Sequence, residues 1–157
     1  MNNEENKVIR LNAIELQEFQ PNRYPFLMID IVTECLPGKF ANGYKNVSNN
    51  EWYFPKHFPG NPNMPGALQL EAMAQMLTVA ITTQKGLKGS VTHALKHVVR
   101  FRKEVVPGDR LEIRATIQKW KRGICEGEAI CTVNNEEVSS AKMIITIPEI
   151  FKDYIPK

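Results

Sequence analysis

The second half of the chain shows a period-two pattern of apolar and polar residues. Between Val91 and Arg102 the side chains alternate in this way, which is typical of a half-buried strand. Three more strands are predicted over residues 111–120, 124–133 and 138–147. Glycine, proline and asparagine pairs mark the turns between these strands: Pro107-Gly108, Arg122-Gly123 and Asn134-Asn135.

The first half is predicted to hold a short helix, a hairpin and one long helix. The short helix covers residues 11–18 and ends before a proline, which disfavours helical geometry in the residue ahead of it. The hairpin pairs residues 27–35 with 40–47. The long helix covers residues 66–83 with Glu71 as its only charge, so it is expected to be buried on most sides. These elements predict an α+β fold in which a curved antiparallel sheet wraps around one long central helix.

A stiff loop precedes the long helix and supplies the first candidate for chemistry. Four prolines lie between Phe54 and Gly66, and proline both fixes φ and removes a backbone donor. His57 lies in this loop, where a catalytic base would be held rigidly, and Glu71 follows fourteen residues later. A carboxyl in apolar surroundings is expected to have a raised pKa and to keep a proton at neutral pH, as a general acid must. The free amides where the helix begins, at Pro65-Gly66, are expected to stabilise an oxyanion.

These features suit proton abstraction beside a carbonyl followed by loss of a leaving group, although hydrolysis by an activated water stays open. Glu71 begins a polar stripe on the helix with Gln75, Thr78 and Thr82, and the alternative is that this stripe faces water. His57 has an alternative role too, in packing or capping. No metal is expected, because His93 and His97 lie in a strand without a metalloprotease glutamate, and no nucleotide-binding or nucleophilic-serine motif occurs.

Composition limits the class of protein. A chain of 157 residues with 43% apolar and 24% charged residues indicates one domain, residues 1–157. No apolar run reaches the ~20 residues of a membrane span, and the first ten residues lack the apolar region of a secretory signal, so we expect a cytoplasmic protein. Three cysteines without C-x-x-C spacing are expected to be buried thiols: Cys35, Cys125 and Cys131. A net charge of +3 does not indicate nucleic-acid binding.

The loop and the long helix resemble the signature of the FabZ-type 3-hydroxyacyl-[acyl-carrier-protein] dehydratases. Residues 57–66 read HFPGNPNMPG and residues 68–75 read LQLEAMAQ. The similarity continues upstream in RYPFL at residues 23–27 and downstream in VVPGD at residues 105–109, and it covers roughly residues 11–147. The motif around His57 and Glu71 is long enough to be highly specific.

The resemblance implies a hot-dog fold and the dehydration of a (3R)-3-hydroxyacyl thioester to a trans-2-enoyl thioester without a cofactor. His57 would take the Cα proton, Glu71 would assist departure of the hydroxyl, and the Gly66 amide would bind the thioester carbonyl. The remaining expected substrate-binding residues are Phe58, Met64, Pro65 and Gln75. A hot-dog acyl-thioester hydrolase and a non-catalytic acyl-binding subunit are the alternatives. The pathway and any isomerase activity stay open.

The resemblance also implies partners. Family members are homodimers, often trimers of dimers, in which the histidine and glutamate of one site come from different subunits. The acidic acyl carrier protein would dock on basic residues, by charge complementarity. The basic residues concerned are Arg100, Arg102, Lys103, Lys119, Lys121 and Arg122. Alternatively, these charges only protect strand edges. At position 22 this chain has Asn where the family usually has His, and Asn does not titrate near neutrality.

Overall fold

The structure is a computed structural model that describes residues 7–156. Residues 1–6 and residue 157 lie outside the described residues. Residues 1–6 include part of the segment used above to judge whether a secretory signal is present. Seven strands and two α-helices make up the fold: β1 Ile9–Leu11, β2 Ile31–Leu36, β3 Phe40–Asn46, α1 Gly66–Thr82, β4 His93–Phe101, β5 Arg110–Lys121, β6 Ile124–Val133, β7 Glu136–Thr146 and α2 Pro148–Phe151. Single 3₁₀ turns lie at Glu15–Glu18 and Lys152–Tyr154.

All seven strands form one antiparallel sheet in the order β1-β2-β3-β5-β6-β7-β4. The helix α1 packs against the inner face of this sheet and touches β2, β3, β5, β6 and β7. The prediction of a sheet around one central helix is therefore confirmed. Over residues 7–156, no helix combines the length and the hydropathy that a membrane crossing requires.

The helix α1 is buried against the sheet by its apolar side chains. Met73, Met76, Leu77 and Ile81 have no exposed surface. Gly127 on β6 permits the close approach, because a Cβ at that position would lie 2.7 Å from the Leu77 side chain. The helix thus supplies the centre of the core.

The polar stripe of α1 does not face water. Gln75, Thr78 and Thr82 are all buried. The Thr82 hydroxyl donates to the Thr78 carbonyl at 3.0 Å, and the Thr78 hydroxyl pairs with that of Thr92 at 2.9 Å. The water-facing alternative was wrong, because these side chains find partners inside the chain.

Two hairpin turns predicted from the sequence are confirmed. Arg122 and Gly123 join β5 to β6, and both have positive φ, at 55° and 78°. Asn134 and Asn135 join β6 to β7 with φ of 49° and 64°. Two consecutive positive φ angles are what the two-residue turns of twisted antiparallel strands require, and glycine and asparagine adopt them at little cost.

The predictions for the first 35 residues need correction. In place of a helix over 11–18, the chain forms β1 and then a single 3₁₀ turn. The Asn12 side chain accepts from the amides of Ile14 and Glu15, and the Glu15 carboxylate accepts from the Asn12 amide, so the turn begins only after Asn12. The strand predicted from residue 27 begins at Ile31, because the Met28 amide donates to the Gln75 side chain instead of to a neighbouring strand.

The strand β4 lies at the edge of the sheet and is more exposed than its pattern predicts. Only His97 and Val99 are half-buried, whereas Leu95, Val98 and Phe101 expose 53%, 60% and 49% of their surface. Apolar alternation shows that one face of a strand is covered, but it does not distinguish a face covered by the chain's own helix from one covered by a neighbouring molecule. In the part of the chain that the structure describes, β4 pairs with β7 alone.

Candidate active site

The loop before α1 holds the half-buried side chain of His57 in a defined orientation. Its Nδ1 atom lies 2.9 Å from the Asn63 carbonyl oxygen, and the Asn63 amide donates to the His57 carbonyl at 2.9 Å. Because a carbonyl can only accept, Nδ1 carries the proton. In the neutral ring Nε2 is then free to accept a proton, as a general base must.

The rest of the loop supports this orientation. Phe58 and Asn61 exchange backbone hydrogen bonds of 3.0 and 2.9 Å, and the Phe58 ring stacks on the imidazole with centroids 4.2 Å apart. At the end of the loop the Met64 amide donates to the Val105 carbonyl at 2.7 Å, and the Met64 side chain is buried. Of the predicted substrate-binding residues in the loop, Phe58 is exposed beside His57, Pro65 is half-buried, and Met64 belongs to the core.

The helix α1 begins at Gly66 without a side-chain cap. Backbone amides in the first turn of an uncapped helix are available to an incoming oxygen, and the positive end of the helix dipole favours negative charge there. The Phe101 ring lies against Gly66, since a Cβ there would be 2.7 Å from the ring. Glycine is therefore the residue that lets Phe101 cover the start of the helix.

The Glu71 carboxyl is half-buried and is oriented by two amide side chains. Its Oε1 atom accepts from Gln75 Nε2 at 2.8 Å and from Asn22 Nδ2 at 3.3 Å. Gln75 also accepts from the Met28 amide at 2.8 Å and donates to the Phe26 carbonyl at 2.5 Å. The substrate-binding role of Gln75 stays a prediction, because within this chain its amide connects Glu71 to residues 26–28.

Asn22 reaches Glu71 because its own segment is fixed by Arg23. The guanidinium donates to the carbonyls of Gln17, Gln20 and Asn22 at 2.7 to 2.9 Å. From the sequence, position 22 stood out only as a departure from the family motif. The contact with the carboxyl was missed, since no local pattern joins residues 49 positions apart.

The structure separates the six predicted docking residues into two groups. Arg100, Arg102 and Lys103 lie where β4 ends, beside Ser139 and Ser140 of β7, whereas Lys119, Lys121 and Arg122 lie at the β5–β6 turn. The β5–β6 turn is adjacent to Thr146, which is seven residues along β7 from Ser139. At 3.3 Å per residue, the two basic groups are therefore about 23 Å apart. A single basic patch within one chain is therefore not formed.

Three of these basic side chains already have acidic partners. Arg102 pairs with Glu137 at 2.8 Å, Lys119 pairs with Glu126 at 3.5 Å, and Lys103 pairs with Glu136. Lys121 and Arg122 instead border a cavity of about 310 Å³. The other residues around it include the aromatic side chains of Phe151 and Tyr154.

The three cysteines are free and buried, as predicted. Burial raises the pKa of Cys125 and of Cys131 to about 12, and it raises the pKa of Cys35 as well. The thiolate, which is the nucleophilic form, is therefore scarce at neutral pH. These cysteines contribute packing and not chemistry.

Comparisons with known proteins agree with this architecture. A dehydratase heterocomplex named ApeI:P, from Xenorhabdus doucetiae, superposes with a TM-score of 0.74 at 16% identity, covering 90% of this chain and 97% of that one. A hypothetical thioesterase with coenzyme A, from Streptococcus pneumoniae TIGR4, superposes with a TM-score of 0.55 at 16% identity, covering 71% and 80%. At such identities these similarities concern the fold alone. The fold is the hot-dog fold, and the candidate chemical groups on it are a loop histidine and a helix glutamate.

Sequence comparison narrows that class to one family. Residues 20–142 match the model of the FabA-like domain. The chain is 42% identical over 138 residues to the 3-hydroxyacyl-[acyl-carrier-protein] dehydratase FabZ of Clostridium novyi, covering 87% of this chain and 97% of that one. The FabZ of Clostridium botulinum strain Loch Maree is 41% identical, covering 87% and 96%. The chain belongs to the FabZ family of 3-hydroxyacyl-[acyl-carrier-protein] dehydratases.

Proposed function

We propose that this chain dehydrates (3R)-3-hydroxyacyl thioesters on acyl carrier protein to trans-2-enoyl thioesters, in fatty-acid elongation or a related acyl pathway. The observation that carries the proposal is the match to FabZ dehydratases over 87% of the chain, at 42% identity. The orientation of His57 supports it, because Nε2 is left free to act as a base.

The reaction uses the groups described above. His57 Nε2 takes the proton from Cα of the substrate, and the electron pair moves towards the thioester carbonyl, whose oxygen is bound by the Gly66 amide. The electrons then form the Cα–Cβ double bond as the Cβ–O bond breaks. Glu71 gives its proton to the departing hydroxyl, which leaves as water. One proton has moved to the imidazole and one has left the carboxyl, so a net proton transfer from His57 to Glu71 restores the enzyme.

The active assembly is a homodimer in which β4 of one copy faces that of the other. The exposed apolar side chains of Leu95, Val98 and Phe101 on this edge strand support that arrangement. Within residues 7–156 of one chain no hydrogen bond joins His57 to Glu71. This agrees with a site that takes its histidine from one subunit and its glutamate from the other. Three such dimers assemble into a hexamer.

The test of the reaction is incubation with 3-hydroxyacyl carrier proteins of graded chain length, followed by mass spectrometry of the intact carrier. Loss of one water from the acyl chain supports dehydration. Release of the free acid instead identifies the second candidate, an acyl-thioester hydrolase. If the substrate is unchanged, the remaining candidate is a non-catalytic acyl-binding subunit. The dependence of rate on chain length also measures the depth of the acyl tunnel.

The acyl carrier protein is proposed to dock on one of the two basic groups. Because these groups lie about 23 Å apart on β7, single charge reversals distinguish them. Arg102→Glu removes charge where β4 ends, and Lys121→Glu removes it at the β5–β6 turn.

If the carrier docks where β4 ends, Arg102→Glu is expected to lower kcat/KM for the carrier-linked substrate; if it docks at the β5–β6 turn, Lys121→Glu is expected to do so. In either case turnover of a short thioester analogue should stay unchanged. The other variant is the matched control. Equal effects on both substrates for both variants would remove the docking hypothesis.

We assign the protein to the cytoplasm. Three free thiols support this location, since cysteines stay reduced there. Cell fractionation with an antibody against the chain is the check, and recovery in the membrane or secreted fraction would contradict the assignment.

A further inference from the structure

A second histidine, His97, lies on the inner face of β4 where that strand crosses α1. Two contacts fix the crossing: the Phe101 ring lies against Gly66, and the Thr92 and Thr78 hydroxyls are 2.9 Å apart. The strand and the helix therefore run past each other between these two points.

The residues midway between these contacts are His97 and Glu71. His97 is four residues before Phe101 on the strand, and Glu71 is five residues after Gly66 on the helix. Because both lie near the middle of the crossing, His97 and Glu71 lie on facing segments of the strand and the helix. An independent sign of this proximity is that the charge of Glu71 acts on the titration of His97.

The surroundings of His97 favour its uncharged form. The side chain is half-buried, and its Nδ1 atom is buried without a hydrogen-bond partner among the described residues. Burial lowers the pKa of His97 below its ordinary value of 6.5, and the negative charge of Glu71 opposes that shift only in part. The imidazole is therefore neutral at neutral pH.

Other charged residues near β4 lie on the opposite face of the sheet. Lys96 and Lys142 border a groove on the outer surface together with Glu126 and Glu128. From the helix side, the charged group that faces His97 is Glu71.

We propose that His97 is a positioning residue for Glu71, which keeps the carboxyl in a polar, uncharged environment at neutral pH. Below neutrality His97 takes up a proton, and its positive charge beside Glu71 is expected to lower the rate of dehydration. The role of Glu71 as the acid rests on the proposed function, whereas the coupling of the two groups does not.

The coupling is tested by NMR of protein labelled in its histidine side chains. The chain has three histidines, so three signals are followed, and variants at His57 and His93 assign them. Glu71→Gln removes the negative charge and is expected to lower the pKa of His97. Glu71→Asp keeps the charge, so the pKa of His97 is expected to stay close to its wild-type value. The signal of the exposed His93 is the internal control for the comparison of the three proteins. The same titration of His97 in all three proteins would overturn the proposal.

The effect on catalysis is tested by comparing His97→Asn with His93→Asn. In the wild type, log kcat/KM is expected to fall more steeply at acid pH than in His97→Asn, because protonation of His97 adds to the loss of activity. His97→Asn removes this protonation and is expected to flatten the acid limb, whereas His93→Asn keeps the steeper wild-type limb.

A uniform loss of activity at every pH in His97→Asn would indicate a merely structural role and contradict the proposal. If the wild type does not dehydrate the substrate, the proposed function fails, but the NMR titration still decides whether the two side chains are coupled.

Discussion

Glu71 is oriented by residues that come from distant parts of the chain. Asn22 reaches it from 49 positions away, and Gln75, one helical turn further along, ties it to residues 26–28. His57, by contrast, is held by a loop that bonds to itself through Asn63. The two chemical groups therefore depend on different parts of the structure.

Removing either group is expected to abolish most of the activity. His57→Ala and Glu71→Gln should each lower kcat for dehydration by about 10²–10⁴-fold, because a positioned base or acid contributes that much. The rate of water loss from a 3-hydroxyacyl carrier is the measurement, with circular dichroism to confirm the fold. Ile14→Ala, at an exposed position outside β4, is the control and should keep full activity. Substantial turnover by both active-site variants would refute the assignment.

The sequence alone indicates His57 and Glu71 as candidates for chemistry, for a physical reason. One is a base in a proline-rich loop and the other is the only charge of a buried helix, so each is visible from its neighbours alone. The contact of Asn22 with Glu71 and the proposed role of His97 depend on how distant segments pack. Neither follows from the spacing of residues along the sequence.

Among the secondary-structure elements, α1 supplies the centre of the core, and its polar side chains form hydrogen bonds to other segments of the chain. The strands β5, β6 and β7 were predicted within two residues of their observed ends, because their turns are marked by asparagine and glycine. The segment before β2 was predicted wrongly, since its backbone bonds to the Gln75 side chain, which a pattern of apolar residues does not reveal.

The burial of α1 leads to a stability prediction. Ile81→Ala, at a position without exposed surface, should lower the free energy of unfolding by about 2–5 kcal/mol, because a cavity remains where the side chain was. Ile14→Ala is the matched control, since Ile14 is 74% exposed, and should change it by less than about 0.5 kcal/mol. Urea unfolding at one fixed protein concentration is the measurement. Equal losses in the two variants would contradict the placement of α1 in the core.

For the whole molecule, the buried thiols predict a loss of stability at alkaline pH. Burial raises the pKa of Cys125 and Cys131 to about 12 from an ordinary value of 9.0. The unfolded chain therefore releases these protons first. The stability that the two protonated thiols contribute is complete below pH 9 and is lost as the pH rises towards 12. The free energy of unfolding falls by roughly 1.4 kcal/mol per pH unit for each thiol in this range.

Urea unfolding between pH 7.5 and 10.5 measures this effect, at pH values on both sides of the ordinary thiol pKa of 9.0. Cys131→Ala removes one titrating group and should flatten the decline. A decline as steep as in the wild type would show that the Cys131 thiol is not responsible.

The assembly is also a property of the whole molecule. Val98→Glu places a charge on β4, where Val98 is 60% exposed, and is expected to separate the two subunits of each proposed dimer, which lowers the mass of the assembly. Val8→Glu is the control, because Val8 is 50% exposed but lies outside β4. Light scattering after gel filtration gives the mass of each protein. Dimers that persist in Val98→Glu would exclude β4 as the interface.

The order of the strands affects how a new chain folds on the ribosome. Among residues 7–156, β4 has β7 as its only neighbour in the sheet, and β7 begins 35 residues after β4 ends. An emerging chain therefore carries β4 unpaired until the last strand has been made. His97 and Phe101 can take their places over α1 only then. The strand edge that the proposed dimer uses is thus completed only once β7 has been synthesised.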